Sequence, residues 1–129
     1  MNSQDNILKT NKAILRLTDE GIIQQEYPEC IDITIEDSRE ELSVLQKFCI
    51  DRKRPLLVDI RNVRTVQQES RQFYSSDEVA RYLSAVAFLV GNPVSKIMGN
   101  FFLGINKSEL KVKLFTDEYQ AIAWLKEYV

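Results

Sequence analysis

Pro55-Leu56-Leu57-Val58-Asp59-Ile60-Arg61-Asn62-Val63 decides the fold. Leu56 to Ile60 is aliphatic except for Asp59, the pattern of a strand covered on both faces rather than one with a solvated side. Such a strand needs helices packed on its sheet, so the stretch predicts an α/β domain with this strand in the interior. Asp59 is either a satisfied carboxylate near the strand's C-terminal end or a functional one; the residues alone leave both open. Ser84 to Val90 is a second continuous apolar run and predicts another interior strand.

Toward the N-terminus, after a frayed start over residues 1–10, Ala13–Leu17 and Ile22–Tyr27 flank Asp19-Glu20-Gly21 and predict a hairpin with glycine in the turn. The second arm carries Gln24, Gln25 and Glu26 in a row, which points to a wet face near a sheet edge. Ile31, Ile33 and Ile35 alternate with Asp32 and Thr34 as a short extended segment. Thr34 or Asp37 then caps a helix to about Ile50, with Glu36, Asp37, Glu40 and Glu41 near its positive end. Leu42, Leu45 and Cys49 form its apolar stripe, widened by Val44 and Phe48 to an arc of roughly 160°. The excess width is covered by a neighbouring helix, or Val44 and Phe48 meet a partner or a ligand.

Beyond the central stretch, Gln67–Tyr74 reads as a short helix, and Ser75 with Glu78 has capping-box spacing for its restart. Asn92-Pro93 starts a helix in which Val94, Ile97, Met98, Phe101, Phe102 and Ile105 face the core, while Leu103 points away beside Gly99 and Asn100. Lys111–Phe115 alternates as an edge strand with solvated lysines. Thr116-Asp117-Glu118 caps a last helix with Ala121, Ile122, Leu125, Tyr128 and Val129 on one face.

The 129 residues make one domain, and a net charge of -2 does not advertise nucleic acid. Histidine is absent, which removes the commonest general base and transition-metal ligand and argues against hydrolytic or zinc chemistry. No metal and no cofactor is expected. No apolar run approaches the roughly 18 residues of a membrane span, and Met1–Thr10 lacks the pattern of a secretory signal. Cys30 and Cys49 lie in no CxxC pattern and read as reduced, buried thiols, so the expected location is the cytoplasm.

Leu57-Val58-Asp59-Ile60-Arg61-Asn62, Ser70-Arg71-Gln72-Phe73-Tyr74, Asn100-Phe101-Phe102-Leu103 and Lys113-Leu114-Phe115-Thr116-Asp117 leading to Ala123-Trp124-Leu125 resemble a bacterial group of small uncharacterised proteins with a STAS/SEC14-like, SpoIIAA-like fold. The match runs from about Ile33 to the C-terminus. It implies an α/β β-α superhelix, a mixed sheet of four or five strands with helices mainly on one face. In anti-sigma-factor antagonists of the STAS family, the loop after the equivalent strand presents a serine that is phosphorylated at a helix N-terminus. That position falls on Gln68 here, and Ser70 lies two residues inside the expected helix, so no kinase switch of the usual kind is expected.

Two functions follow as expectations. One is a non-catalytic regulatory or protein-interaction module that docks a protein or its own copy through Val44, Phe48, Gly99, Asn100 and Leu103. The alternative is a carrier or sensor of a lipid or other apolar anionic ligand, with Arg61, Arg64, Arg71 and Tyr74 meeting its head group. An enzyme would have only Asp59, Glu69, Arg71, Tyr74 and Asn100 to draw on, without a spacing that demands chemistry.

Overall fold

The computed structural model describes residues 6–74, 76–91 and 110–129. Its elements are β1 (Ile7–Lys9), β2 (Ile14–Leu17), β3 (Ile23–Glu26), β4 (Ile31–Ile33), α1 (Ile35–Phe48), β5 (Arg54–Asp59), β6 (Val63–Val66), α2 (Gln68–Phe73), α3 (Asp77–Ala80), β7 (Leu83–Leu89), β8 (Lys111–Phe115) and α4 (Glu118–Leu125), closed by a 3-10 turn, Lys126–Tyr128. The main sheet runs β1-β2-β3-β5-β7-β8, antiparallel over β1 to β3 and parallel from β3 to β8. β5 lies between β3 and β7 with Leu56, Leu57 and Val58 at 0–2% exposure, as its aliphatic run requires.

The expected α/β class and mixed sheet are present, but six strands pair among the described residues rather than four or five. The difference comes from the start of the chain. Residues 7–9, read as frayed, add β1 to the outside of β2. That moves the edge from β2 to β1, and β3, expected near an edge, lies in the interior between β2 and β5. β4 and β6 form a separate parallel pair; β6 was not expected, because Val63-Arg64-Thr65-Val66 has no clean period of two. Gly21 takes φ of 84° in the β2–β3 turn, where only glycine avoids a Cβ clash.

Side-chain alternation sorts the main sheet into two faces. Leu15, Ile23, Leu56, Val58, Val86 and Phe88 share one core cluster with Leu42, Val44, Leu45 and Phe48 of α1 and Phe73 of α2. Leu57, Ala85, Ala87 and Leu89 point the other way, into a smaller cluster with Ala121 and Leu125 of α4. α4 therefore covers the face opposite α1, and Trp124 sits half-buried at its margin against Phe115 and Tyr128. Lys111 and Lys113 of β8 are exposed, as an edge strand requires.

α1 starts with a reciprocal capping box, so both proposed caps take part. The Thr34 hydroxyl accepts from the Asp37 amide at 3.3 Å and the Asp37 carboxylate accepts from the Thr34 amide at 2.9 Å. α3 is capped by Ser76, one residue later than expected, its hydroxyl accepting from the Val79 amide. Ser75, the proposed cap, and the proposed helix from Asn92 to Ile105 lie outside the described residues. Cys30 is exposed rather than buried; Cys49 is partly covered, and burial pushes its thiol up to about 11. Replacing Thr34 by alanine should lower stability by about 1 kcal/mol in urea unfolding without changing the slope of the transition; an unchanged midpoint would show that the cap does not hold α1.

Candidate functional site

α1 follows β4 and lies across the face of the sheet that carries Ile23, Gln25, Val58 and Phe88. At about 100° per residue, Glu41 falls near the centre of the arc defined by Leu42, Leu45, Val44 and Phe48. It therefore points into the core, where it is 1% exposed. Tyr27 and Gln25 reach it from β3 and the residue after it, because both lie on the core-facing parity of that strand. Tyr74 reaches it from the end of α2.

The contacts form a connected network. The Tyr27 hydroxyl donates to Glu41 Oε2 at 2.6 Å, the Tyr74 hydroxyl donates to Glu41 Oε1 at 3.1 Å, and Gln25 Nε2 donates to Tyr27 Oη at 2.7 Å. Tyr74 also packs edge-on against Phe88, ring centroids 5.4 Å apart. Burial pushes the Glu41 carboxyl up to about 7, against the opposing effect of the two phenol donors. Both phenols are raised well above their ordinary value, first by burial and then by neighbouring charge and phenol groups. Gln25 Oε1, Ser38 Oγ and Ser70 Oγ are buried around this network without a hydrogen-bond partner.

The sequence-derived ligand residues do not converge. Arg61 folds back on Asp59 with two bonds, Nε to Oδ1 at 2.9 Å and Nη2 to Oδ2 at 2.6 Å. Arg64 makes the same two-pronged contact with Asp32, at 3.0 and 2.7 Å, and Thr65 Oγ1 donates to that carboxylate as well. These bonds hold Asp32 well below the usual carboxylate range. Asp59 is also lowered, the Arg61 bonds outweighing the effect of burial. Asp59 is thus a satisfied carboxylate at the end of β5. Arg71 is half-buried on α2, with a buried Nε that lacks a partner. Tyr74 is turned inward rather than toward a ligand.

The proposed interface residues divide similarly. Val44 and Phe48 are each 8% exposed and belong to the main core, so they do not form an outward face. The sheet and α2 use the full width of the apolar arc. Gly99, Asn100 and Leu103 lie outside the described residues. Ser70 is fully buried, which removes it as an accessible phosphoacceptor.

A groove of about 180 Å³ opens beside α4, on the half of the sheet that α4 leaves bare. Ile14 and Leu57 line it, with Glu26, Asp59, Glu118 and Arg16 around them. Among the described residues no group of His, Cys, Asp and Glu is arranged to hold a metal ion, and no helix is long and apolar enough to cross a membrane.

A family profile described as "Domain of unknown function (DUF7793)" matches residues 15–129. No curated protein matches. The crystal structure of an uncharacterised protein of the DUF3478 family with a SpoIIAA-like fold, from Shewanella loihica PV-4, is similar at 16% identity and a TM-score of 0.55, over 92% of this chain and 90% of that one. A protein of unknown function from Arthrobacter sp. fb24 is 30% identical over 86% of this chain and 96% of that one, with a TM-score of 0.34. The Shewanella likeness agrees with the expected SpoIIAA-like fold.

A carboxyl group whose folded pKa is raised keeps its proton longer in the folded state than in the unfolded chain. For Glu41, stability is fully present below the unfolded value of 4.5 and is lost as pH rises through about 7. The lowered Asp32, Asp37 and Asp59 act in the opposite sense, their stabilisation being present above 3.8 and lost as pH falls. With no histidine in the chain, no ordinary side chain competes between these windows. Urea unfolding should therefore show stability falling by on the order of 3 kcal/mol between pH 5 and 8, with most of that dependence lost in Glu41→Gln. A wild-type stability that is flat or rising over this range would contradict the assignment.

Proposed function

The chain belongs to the DUF7793 family, and we propose that it acts as a non-catalytic regulatory module of the STAS type, docking a protein partner or a second copy of itself in the cytoplasm. The observation that carries this reading is the internal use of its polar groups. Arg61 and Arg64 are each held in two-pronged pairs by the chain's own Asp59 and Asp32, and Tyr74 is committed to Glu41. Three of the four groups named for ligand capture are therefore engaged within the fold, Arg71 being the exception. The SpoIIAA-like architecture supports the same reading at the level of fold alone.

Control by phosphorylation of the usual kind is not part of this proposal, because Gln68 stands at the acceptor position and Ser70 is buried. The carrier reading has less support. With Asp59 paired to Arg61, the bare groove carries Glu26 and Glu118 against Arg16, a surround that disfavours an anionic head group.

With Val44 and Phe48 in the core, the proposed docking residues are Gly99, Asn100 and Leu103. Replacing Leu103 by aspartate should weaken self-association or partner capture by more than about ten-fold, as loss of an apolar anchor does. Light scattering and pull-downs with wild type and variant check this. A strictly monomeric wild type whose captured partners are unchanged in the variant would overturn the proposal.

A further inference from the structure

The main sheet ends on β8, and the hydrogen bonds to β7 fix which way its backbone groups point. The Val90 amide donates to the Phe115 carbonyl at 2.8 Å, and Lys111, Lys113 and Phe115 lie opposite Ala85, Ala87 and Leu89. The backbone groups of those three β8 residues therefore turn toward β7, and the N–H and C=O of Val112 and Leu114 turn away from the sheet. Among the described residues no strand pairs with that outer side. β8 has five residues, whereas β1, at the opposite edge, has three. β8 is thus the longer template on which an added strand can form main-chain hydrogen bonds.

Alternation places Lys111, Lys113 and Phe115 on the α4 side of the sheet, the side of Ala85, Ala87 and Leu89. Both lysines are exposed, and neither makes an ion pair among the described residues. Lys113 Nζ lies 5.3 Å from the centre of the Phe115 ring. Beyond it an aromatic row continues the surface: Phe115 and Trp124 have ring centroids 5.7 Å apart, and Trp124 and Tyr128 5.0 Å apart. All three rings are half-buried. Ser84 Oγ donates to the Tyr128 carbonyl at 2.9 Å and ties down the end of the row. One face of this edge therefore offers two cations followed by an apolar shelf.

We propose that the outer side of β8 is a docking site for an extended acidic segment of a partner protein, added to the sheet as a further strand. Its carboxylates sit opposite Lys111 and Lys113, and an apolar side chain two positions further lies against Phe115 and Trp124, because residues two apart in a strand share a face. Charge decides the occupant. The other free edge carries Lys9, which is also exposed and lies opposite Ile14, so pairing any two edges of this chain's own copies brings lysines together. The side chains that exclude a second copy at this edge select an acidic strand. A nucleic acid meets the lysines with its phosphates but leaves Val112 and Leu114 without strand hydrogen bonds. The site rests on the docking reading only in giving the chain a protein partner. It does not rest on Leu103: binding at β8 and the effect of Leu103→Asp on partner capture succeed or fail independently.

Fluorescence anisotropy with the full chain tests the site, using two labelled peptides that differ only in charge, Leu-Thr-Glu-Thr-Glu-Thr-Leu and Leu-Thr-Lys-Thr-Lys-Thr-Leu, each the same in both strand directions. The glutamate peptide should bind at least about ten-fold more tightly than the lysine peptide, and its affinity should fall as salt rises. Amide exchange followed by NMR should show protection gained at Val112 and Leu114 and none gained in β1. In the double variant Lys111→Glu, Lys113→Glu the preference should reverse. Equal affinity for the two peptides, no binding of the glutamate peptide up to about 1 mM, or protection gained elsewhere than β8 would overturn the proposal. Tighter binding of a short oligothymidylate than of the glutamate peptide would overturn it as well, assigning the lysines to nucleic acid. If the double variant does not fold, the two peptides and the position of the protected amides in the wild-type chain decide.

Discussion

A carboxyl group at 1% exposure is costly to bury unless its hydrogen bonds are met, and the core of this protein is arranged around meeting them for Glu41. The donors come from separate parts of the chain. Tyr27 follows β3, Tyr74 closes α2, and Gln25 supports Tyr27 from within the sheet. Their hydroxyls meet only when α1 crosses the sheet at one position, so the network fixes the placement of that helix more narrowly than apolar contact does. Cores tolerate exchange among hydrophobic residues of similar volume, whereas a buried polar network has far fewer satisfactory arrangements.

That constraint changes the meaning of the SpoIIAA-like fold in this chain. The charged residues that follow the central strand are self-contained. Arg61 and Arg64 are neutralised by Asp59 and Asp32, Gln68 opens α2 without a hydroxyl, and Ser70 is enclosed. The titratable group connected to α2 lies beneath the helix, where burial tunes it toward neutrality, instead of at its N-terminus.

Much of the architecture is legible in the residues. The aliphatic runs at Leu56–Ile60 and Ser84–Val90 correspond to interior strands, and the alternating Lys111–Phe115 lies at an edge, because burial on two faces or one writes directly into strand patterning. β1 escapes a sequence reading because three residues with a lysine carry too short a pattern to distinguish from a frayed end. That omission leaves β2 as the apparent edge of the sheet. The polar network escapes it for a related reason. Gln24-Gln25-Glu26 reads as a wet arm, yet alternate residues of a strand point to opposite faces, and Ile23, Gln25 and Tyr27 share the parity of the core. Glu41 likewise sits at the centre of the apolar arc of α1 but blends into the acidic start of the helix. Position carries the signal in both cases, while residue type argues against it.

The most direct test of Glu41 as a neutral core acid is a titration of its side-chain carboxyl carbon by carbon-13 NMR in the folded protein. Burial among Tyr27, Tyr74 and Gln25 predicts a midpoint of about 7. A midpoint near 4.5, the ordinary value for a glutamate, would mean that water or an unrecognised donor satisfies the carboxylate, and Glu41 could then not be the neutral acid around which the core is arranged.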